Sequence, residues 1–228
     1  MATIMKVKDD ENLAERLNDT LLQVRKPLIT GLVVLLVAIL GLVAVVLVND
    51  SAKKKGLAQL DEIYFTLTKD VSEVSDEELA AREAAALTAL ESFASKNGAI
   101  ASRANLLIAE IQFQKQDYAA ARDAWLRAAQ TKQNAYTAPL AYFNAGVCSE
   151  KLSDLASAID YYAKAADTKD FLLSEHALFS LGRVNETKGD FAAAQAAYER
   201  LTAAASGSNW TNLAKTRLLA LQSAGSIE

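Results

Sequence analysis

Cysteine, proline and histidine are almost missing from this chain of 228 residues, and each scarcity narrows what it can be. One cysteine, Cys148, excludes an internal disulfide and reads as a small buried hydrophobe in an Ala-rich helix. One histidine, His176, with no second His and no Cys pair, leaves no set of metal ligands. There is no Gly-rich phosphate loop and no nucleophile elbow, so no catalytic, cofactor-binding or metal-binding residue is expected, and the chain does not read as an enzyme. Prolines stand only at 27 and 139, and β-branched residues thin out beyond residue 55, whereas alanine is abundant. That composition predicts an all-α fold. From Gly56 onward 22 Asp and Glu face 16 Lys and Arg, a net charge of −6, which argues against a nucleic-acid partner.

What the chain does have is one long apolar run. Leu28 to Val48 carries no charge and is built of Leu, Val, Ile, Ala, Thr and Gly. At about 1.5 Å per residue, roughly twenty helical residues cross a hydrocarbon core of about 30 Å with every backbone hydrogen bond satisfied internally. The run is about twice the length of a signal-peptide apolar region, and no small-x-small cleavage site follows it, so a retained single-pass anchor is expected. Arg25 and Lys26 flank one end and Lys53, Lys54 and Lys55 the other. Lys6, Lys8 and Arg16 tip the balance toward a cytoplasmic amino terminus. In the preceding tail Leu13, Leu17, Leu21 and Val24 fall on one helical face, as a lead into the anchor or as a surface-lying segment.

Three later segments superpose at spacings of 37 and then 36 residues: Ala109 to Ala128, Gly146 to Ala165 and Gly182 to Leu201. Each has a small residue (Ala109, Gly146, Gly182), a turn nine residues on (Asp117-Tyr118, Asp154-Leu155, Asp190-Phe191), and a second helix. That helix carries a small residue (Ala121, Ala158, Ala194) and, four on, an aromatic (Trp125, Tyr162, Tyr198). The pattern resembles the tetratricopeptide repeat, in which small residues let two helices approach and the aromatic fills the gap. Only Gly189 supplies the usual turn glycine; Gln116 and Ser153 replace it in the first two copies.

The resulting organisation is a tail at 1–27, a transmembrane helix at 28–48, and a linking helix with an incomplete amino-terminal unit at 49–100. Three repeats follow at about 101–137, 138–173 and 174–208, then a capping helix and tail at 209–228. Within 49–100, Leu57 to Thr68 and Asp76 to Lys96 read as two helices, the second opened by a Ser75 capping box. Glu77, Glu78 and Glu83 read as its solvated acidic face. Thr137 reads as a cap with Pro139 in the first turn. On the last helix Leu213, Leu218 and Leu221 are expected to face the final repeat, with Lys215 and Arg217 in water.

The resemblance also implies a concave face formed by the first helix of each repeat. In this sequence its positions are Arg103, Leu106, Glu110 and Phe113, then Leu140, Phe143, Val147 and Glu150, then His176, Phe179, Arg183 and Glu186. Leu106, Phe143 and Phe179 would lay an apolar stripe along a groove for a peptide. The same side chains would equally serve as core. With positive charge only at Arg103 and Arg183, the positions do not form a carboxylate clamp.

The single amino-terminal span, the linking helix and the entry through Ser92-Phe93-Ala94-Ser95-Lys96-Asn97 and Ala101-Ser102-Arg103-Ala104-Asn105-Leu106 together resemble a bacterial family. It is the ancillary Sec-translocon subunit and cell-division-coordinator type of tetratricopeptide protein. That resemblance implies an inner-membrane scaffold with a cytoplasmic amino terminus and a periplasmic, chaperone-like repeat domain. Its partners would be the translocon or envelope chaperones. The alternatives are a self-associating structural component of a membrane assembly, such as a homo-oligomer, and a targeting receptor whose repeats face the cytosol.

Overall fold

A computed structural model describes residues 2–131, 136–204 and 207–227, with side chains from residue 25 onward except 26 and 28. Its described residues form nine helices: α1 (Ala2–Thr68), α2 (Asp76–Ala94), α3 (Gly98–Gln114), α4 (Tyr118–Gln130), α5 (Thr137–Lys151), α6 (Leu155–Ala166), α7 (Ser174–Lys188), α8 (Phe191–Ala204) and α9 (Asn209–Ser223). The chain divides into two units, Met1–Lys55 and Gly56–Glu228. Helix α1 supplies the first and, from Gly56, opens the second.

In the first unit the apolar run is helical, and its large side chains from Ile29 to Val48 are 47–67% exposed. It is one helix long and apolar enough to cross a membrane. The helix read at Leu57 to Thr68 is the last part of α1, which continues to Thr68. No proline interrupts this stretch, and an Asp50–Lys54 pair of 2.8 Å, four residues apart, supports the turn. The tail stripe Leu13, Leu17, Leu21 and Val24 lies outside the described side chains.

The second unit is an α-solenoid, in which α3/α4, α5/α6 and α7/α8 are antiparallel pairs and each second helix packs on the next first helix. Close approach decides this packing. A Cβ added at Gly146 would lie 2.8–3.0 Å from the Tyr162 ring, and one at Gly182 would press still closer on Tyr198. The aromatics are thereby sealed: Trp125, Tyr162 and Tyr198 are all buried.

Each turn is built the same way. Gln116, Ser153 and Gly189 take φ of 60°, 59° and 83°, so the first two residues accept a left-handed conformation that glycine adopts without strain. The following Asp donates its N–H back to Gln112, Ser149 or Asn185 at 2.8–2.9 Å, closing the first helix. Its carboxylate then caps the next helix: Asp117 accepts from Ala120, Asp154 from Ser157 and Asp190 from Ala193, at 3.0–3.1 Å.

Three local expectations need correction. Ser75 does cap α2 through the Glu78 N–H, but Glu83 is only 8% exposed and faces Lys115 at 3.6 Å. It sits three residues before Ala86 and seven before Leu90, on the inward stripe. Helix α5 is capped at Tyr136 without a side-chain bond, leaving Thr137 as its first residue. On α9 Leu213 is 46% exposed, whereas Thr211, Ala214 and Leu221 are buried and Leu218 packs partly against them. The spacing 211, 214, 218, 221 is the helical stripe, and Leu213 falls off it.

Candidate concave face

Helices α3, α5 and α7 carry the twelve candidate positions, and their surroundings differ along the array. Leu106 and Phe113 are half-buried against a first core made of α2–α5 and the end of α1. Arg103 is ion-paired to Asp61. Glu110 is exposed, and partial desolvation holds its carboxyl above the ordinary range.

The second and third repeats bring their positions together. A cleft of about 440 Å³ is lined by Phe143, Val147, Glu150, His176 and Arg183, with Lys151, Tyr162 and Ser180. Beside it another of about 470 Å³ is lined by Phe179, Arg183, Glu186, Thr187, Phe191, Arg217 and Leu221. Leu140 packs half-buried against the second core. Phe143 is 7% exposed and belongs to that core, so the apolar stripe is interrupted at its middle member.

Charge in this region is organised across the seams. Glu150 accepts from the Tyr162 hydroxyl and from Arg183 Nη2, both at 2.6 Å. Burial and then the Glu150 carboxylate push the Tyr162 hydroxyl well above its usual value, and the same carboxylate keeps Arg183 charged. Glu186 repeats the arrangement by accepting from Arg217 through Nε at 3.1 Å and through Nη2. Burial and the nearby Glu186 raise the Tyr198 hydroxyl, although it is not aligned to give a hydrogen bond. Arg122–Asp154 at 3.1 Å and Arg200–Asp167 at 2.6 Å tie further seams. Burial pushes the Cys148 thiol up to about 11, which suits a packing residue rather than a nucleophile.

His176 lies between two rings, 4.7 Å from Phe143 and stacked on Trp210 at 4.0 Å and 13°. Burial, then Arg183, lowers its pKa, so the ring stays neutral near pH 7. Trp210 also meets Phe179 at 5.4 Å. Sequence reasoning passed over Trp210 and the pairing of Arg217, though both leave a signal. Trp210, Leu213 and Arg217 each stand 34 residues after His176, Phe179 and Arg183. Helix α9 therefore continues the register of a first helix, which is why Leu213 points outward and Arg217 reaches Glu186.

Stacked helix pairs with small-against-aromatic contacts and a concave row of side chains define a protein-interaction solenoid. The chain belongs to the tetratricopeptide-repeat family: models described as "Tetratricopeptide repeat" match residues 80–136, and 140–169 with 175–206. It is 31% identical over 224 residues to a "TPR repeat-containing protein" of Treponema pallidum (strain Nichols), covering 91% of this chain and 94% of that protein. No solved structure matches.

Proposed function

We propose that the protein is a non-enzymatic, single-pass membrane scaffold whose exported repeat domain holds protein partners near the translocation or envelope-assembly machinery. The observation that carries this reading is the presence, in one chain, of a fully exposed apolar helix and a concave face. On that face half-buried Leu140, Val147 and Phe179 surround charges already paired with one another. Such a surface suits a peptide with apolar anchors. The anchor would raise the local concentration of the bound partner, so that modest affinity suffices. The flanking charges nearly balance, and Lys6, Lys8 and Arg16 in the tail tilt the reading toward a cytoplasmic amino terminus.

Two measurements test it. Protease added to intact spheroplasts is expected to digest the repeat domain, and full protection would reverse the topology. A photo-crosslinking residue at Val147 is expected to capture protein partners in membranes, whereas one at Ala196 on the exposed side of α8 is not. Equal capture from both positions would remove the concave face from the function.

A further inference from the structure

The two ends of the solenoid are finished differently. At the carboxyl end α9 covers α8 and part of α7. At the amino end, the last turns of α1 and the length of α2 enclose a cleft of about 670 Å³, and none of the other helices among the described residues lines it. Its walls follow helical spacing on both sides: 59, 62, 63, 66 and 67 on α1, and 78, 81, 82, 85, 86, 89 and 93 on α2. The floor is apolar, with Ile63, Leu67 and Phe93 beside Ala81, Ala85 and Ala89, whose small side chains admit a close neighbour.

This cleft looks away from the array. The opposite faces of the same helices are occupied: Asp61 pairs with Arg103, and Leu87 and Glu91 border α3 and α4. In the later repeats the corresponding place on a first helix is taken by the second helix of the preceding pair, as α4 packs on α5 and α6 on α7. The cleft is thus shaped for one more helix. From 78 to 93 it runs about 22 Å, room for roughly four turns.

Charge defines the occupant. Residues 56–97 hold nine Asp and Glu against three Lys and Arg, whereas 98–228 hold thirteen of each, so the whole net charge of the domain is gathered at this end. Glu62 stands exposed on one rim and Glu78, with Arg82, on the other. We propose that this end cleft docks a basic amphipathic helix of a protein partner, apolar face inward and Lys or Arg along its flanks. Its acidity disfavours an anionic lipid surface. The site is separate from the concave face and does not depend on that face binding anything.

The test uses the full chain in phosphatidylcholine nanodiscs and a fluorescent synthetic helix of about 16 residues with a Leu face and Lys flanks. A matched peptide with Glu in place of Lys and empty discs serve as references. Anisotropy is expected to show the Lys peptide binding at least about tenfold more tightly than the Glu peptide. Ala85→Arg, at an exposed position, and Ala81→Arg as a second blocking variant should each weaken it by about tenfold. Glu62→Lys should weaken it and flatten its salt dependence, while Val147→Asp on the concave face leaves it unchanged. Equal binding of the two peptides, equal binding to empty discs, indifference to both blocking variants, or loss through Val147→Asp would overturn the proposal. So would a drop in the chain's own sedimentation mass on Ala85→Arg, since the occupant would then be a second copy.

Discussion

In the first repeat the register positions under the concave face are Phe113 and Trp125, with Val147 at the matching position of the next first helix. In the next two the same register positions hold Glu150 and Tyr162 with Arg183, then Glu186 and Tyr198 with Arg217. The first repeat has apolar side chains at these positions, and the buried Trp125 Nε1 has no hydrogen-bond partner. The others close by a carboxylate shared between or set beside an aromatic hydroxyl and an arginine. The backbone tolerates either solution, because the helix pair is fixed by the small residue against the aromatic ring, and the position of Phe113, Glu150 and Glu186 only has to suit its neighbours. A paired charge here specifies register more than it adds stability, since a well-packed apolar replacement of an ion pair is commonly neutral or better.

The strongest way to break the comparison is at the small residue itself. Gly182→Ala drives a Cβ into the Tyr198 ring and is expected to cost about 1–3 kcal/mol by thermal denaturation, whereas Ala109→Gly costs about 0.5–1 kcal/mol. Equal losses would show that close approach does not limit the third repeat.

Next comes the polar seam. Glu150→Ala leaves Tyr162 and Arg183 without their acceptor and should cost about 1–2 kcal/mol in urea denaturation. Glu150→Leu combined with Arg183→Val makes these positions apolar, as they are in the first repeat, and should recover most of that loss. Failure to recover would mean that the ion pairs are required for stability and not only for register.

The turns should respond in opposite directions. Ser153→Gly and Gln116→Gly relieve a left-handed residue and should each gain about 0.5–1 kcal/mol, while Gly189→Ala should lose a similar amount.

The smallest effect is expected from His176. Burial lowers its folded pKa below the unfolded 6.5, so its contribution is fully present above pH 6.5 and is lost as pH falls through the folded value. His176→Phe should flatten that part of the pH–stability profile, and an unchanged slope would assign it to other groups.

The solenoid was legible because its signals are local and recur. The small residue, the Asp turn and the aromatic lie within one repeat, and each is read at a fixed offset from the others. Cross-seam partners were harder to see. Arg217 pairs with Glu186 across 31 residues, and Asp61 pairs with Arg103 across 42, so neither shows in a window of helical length. Phe143 is covered by Tyr162 and by His176, which in turn stacks on Trp210, and these come from three other parts of the sequence. The spacing that named Phe143 a concave position was silent on what leans over it. For Glu83 a periodic reading would have worked, since it shares a stripe with Ala86 and Leu90. The expectation that acids near a helix start are solvated outweighed that period.

Helix α5 faces two ways. Ala141, Ala145 and Cys148 belong to the core shared with α3 and α4, whereas Phe143, with Leu140 and Val147 beside it, belongs to the core shared with α6 and α7. The domain therefore has two hydrophobic nuclei that meet along a single helix. Tension or heat applied at either end can melt one nucleus while α5 keeps the other closed. That seam sets how far an unfolding event travels along the repeats.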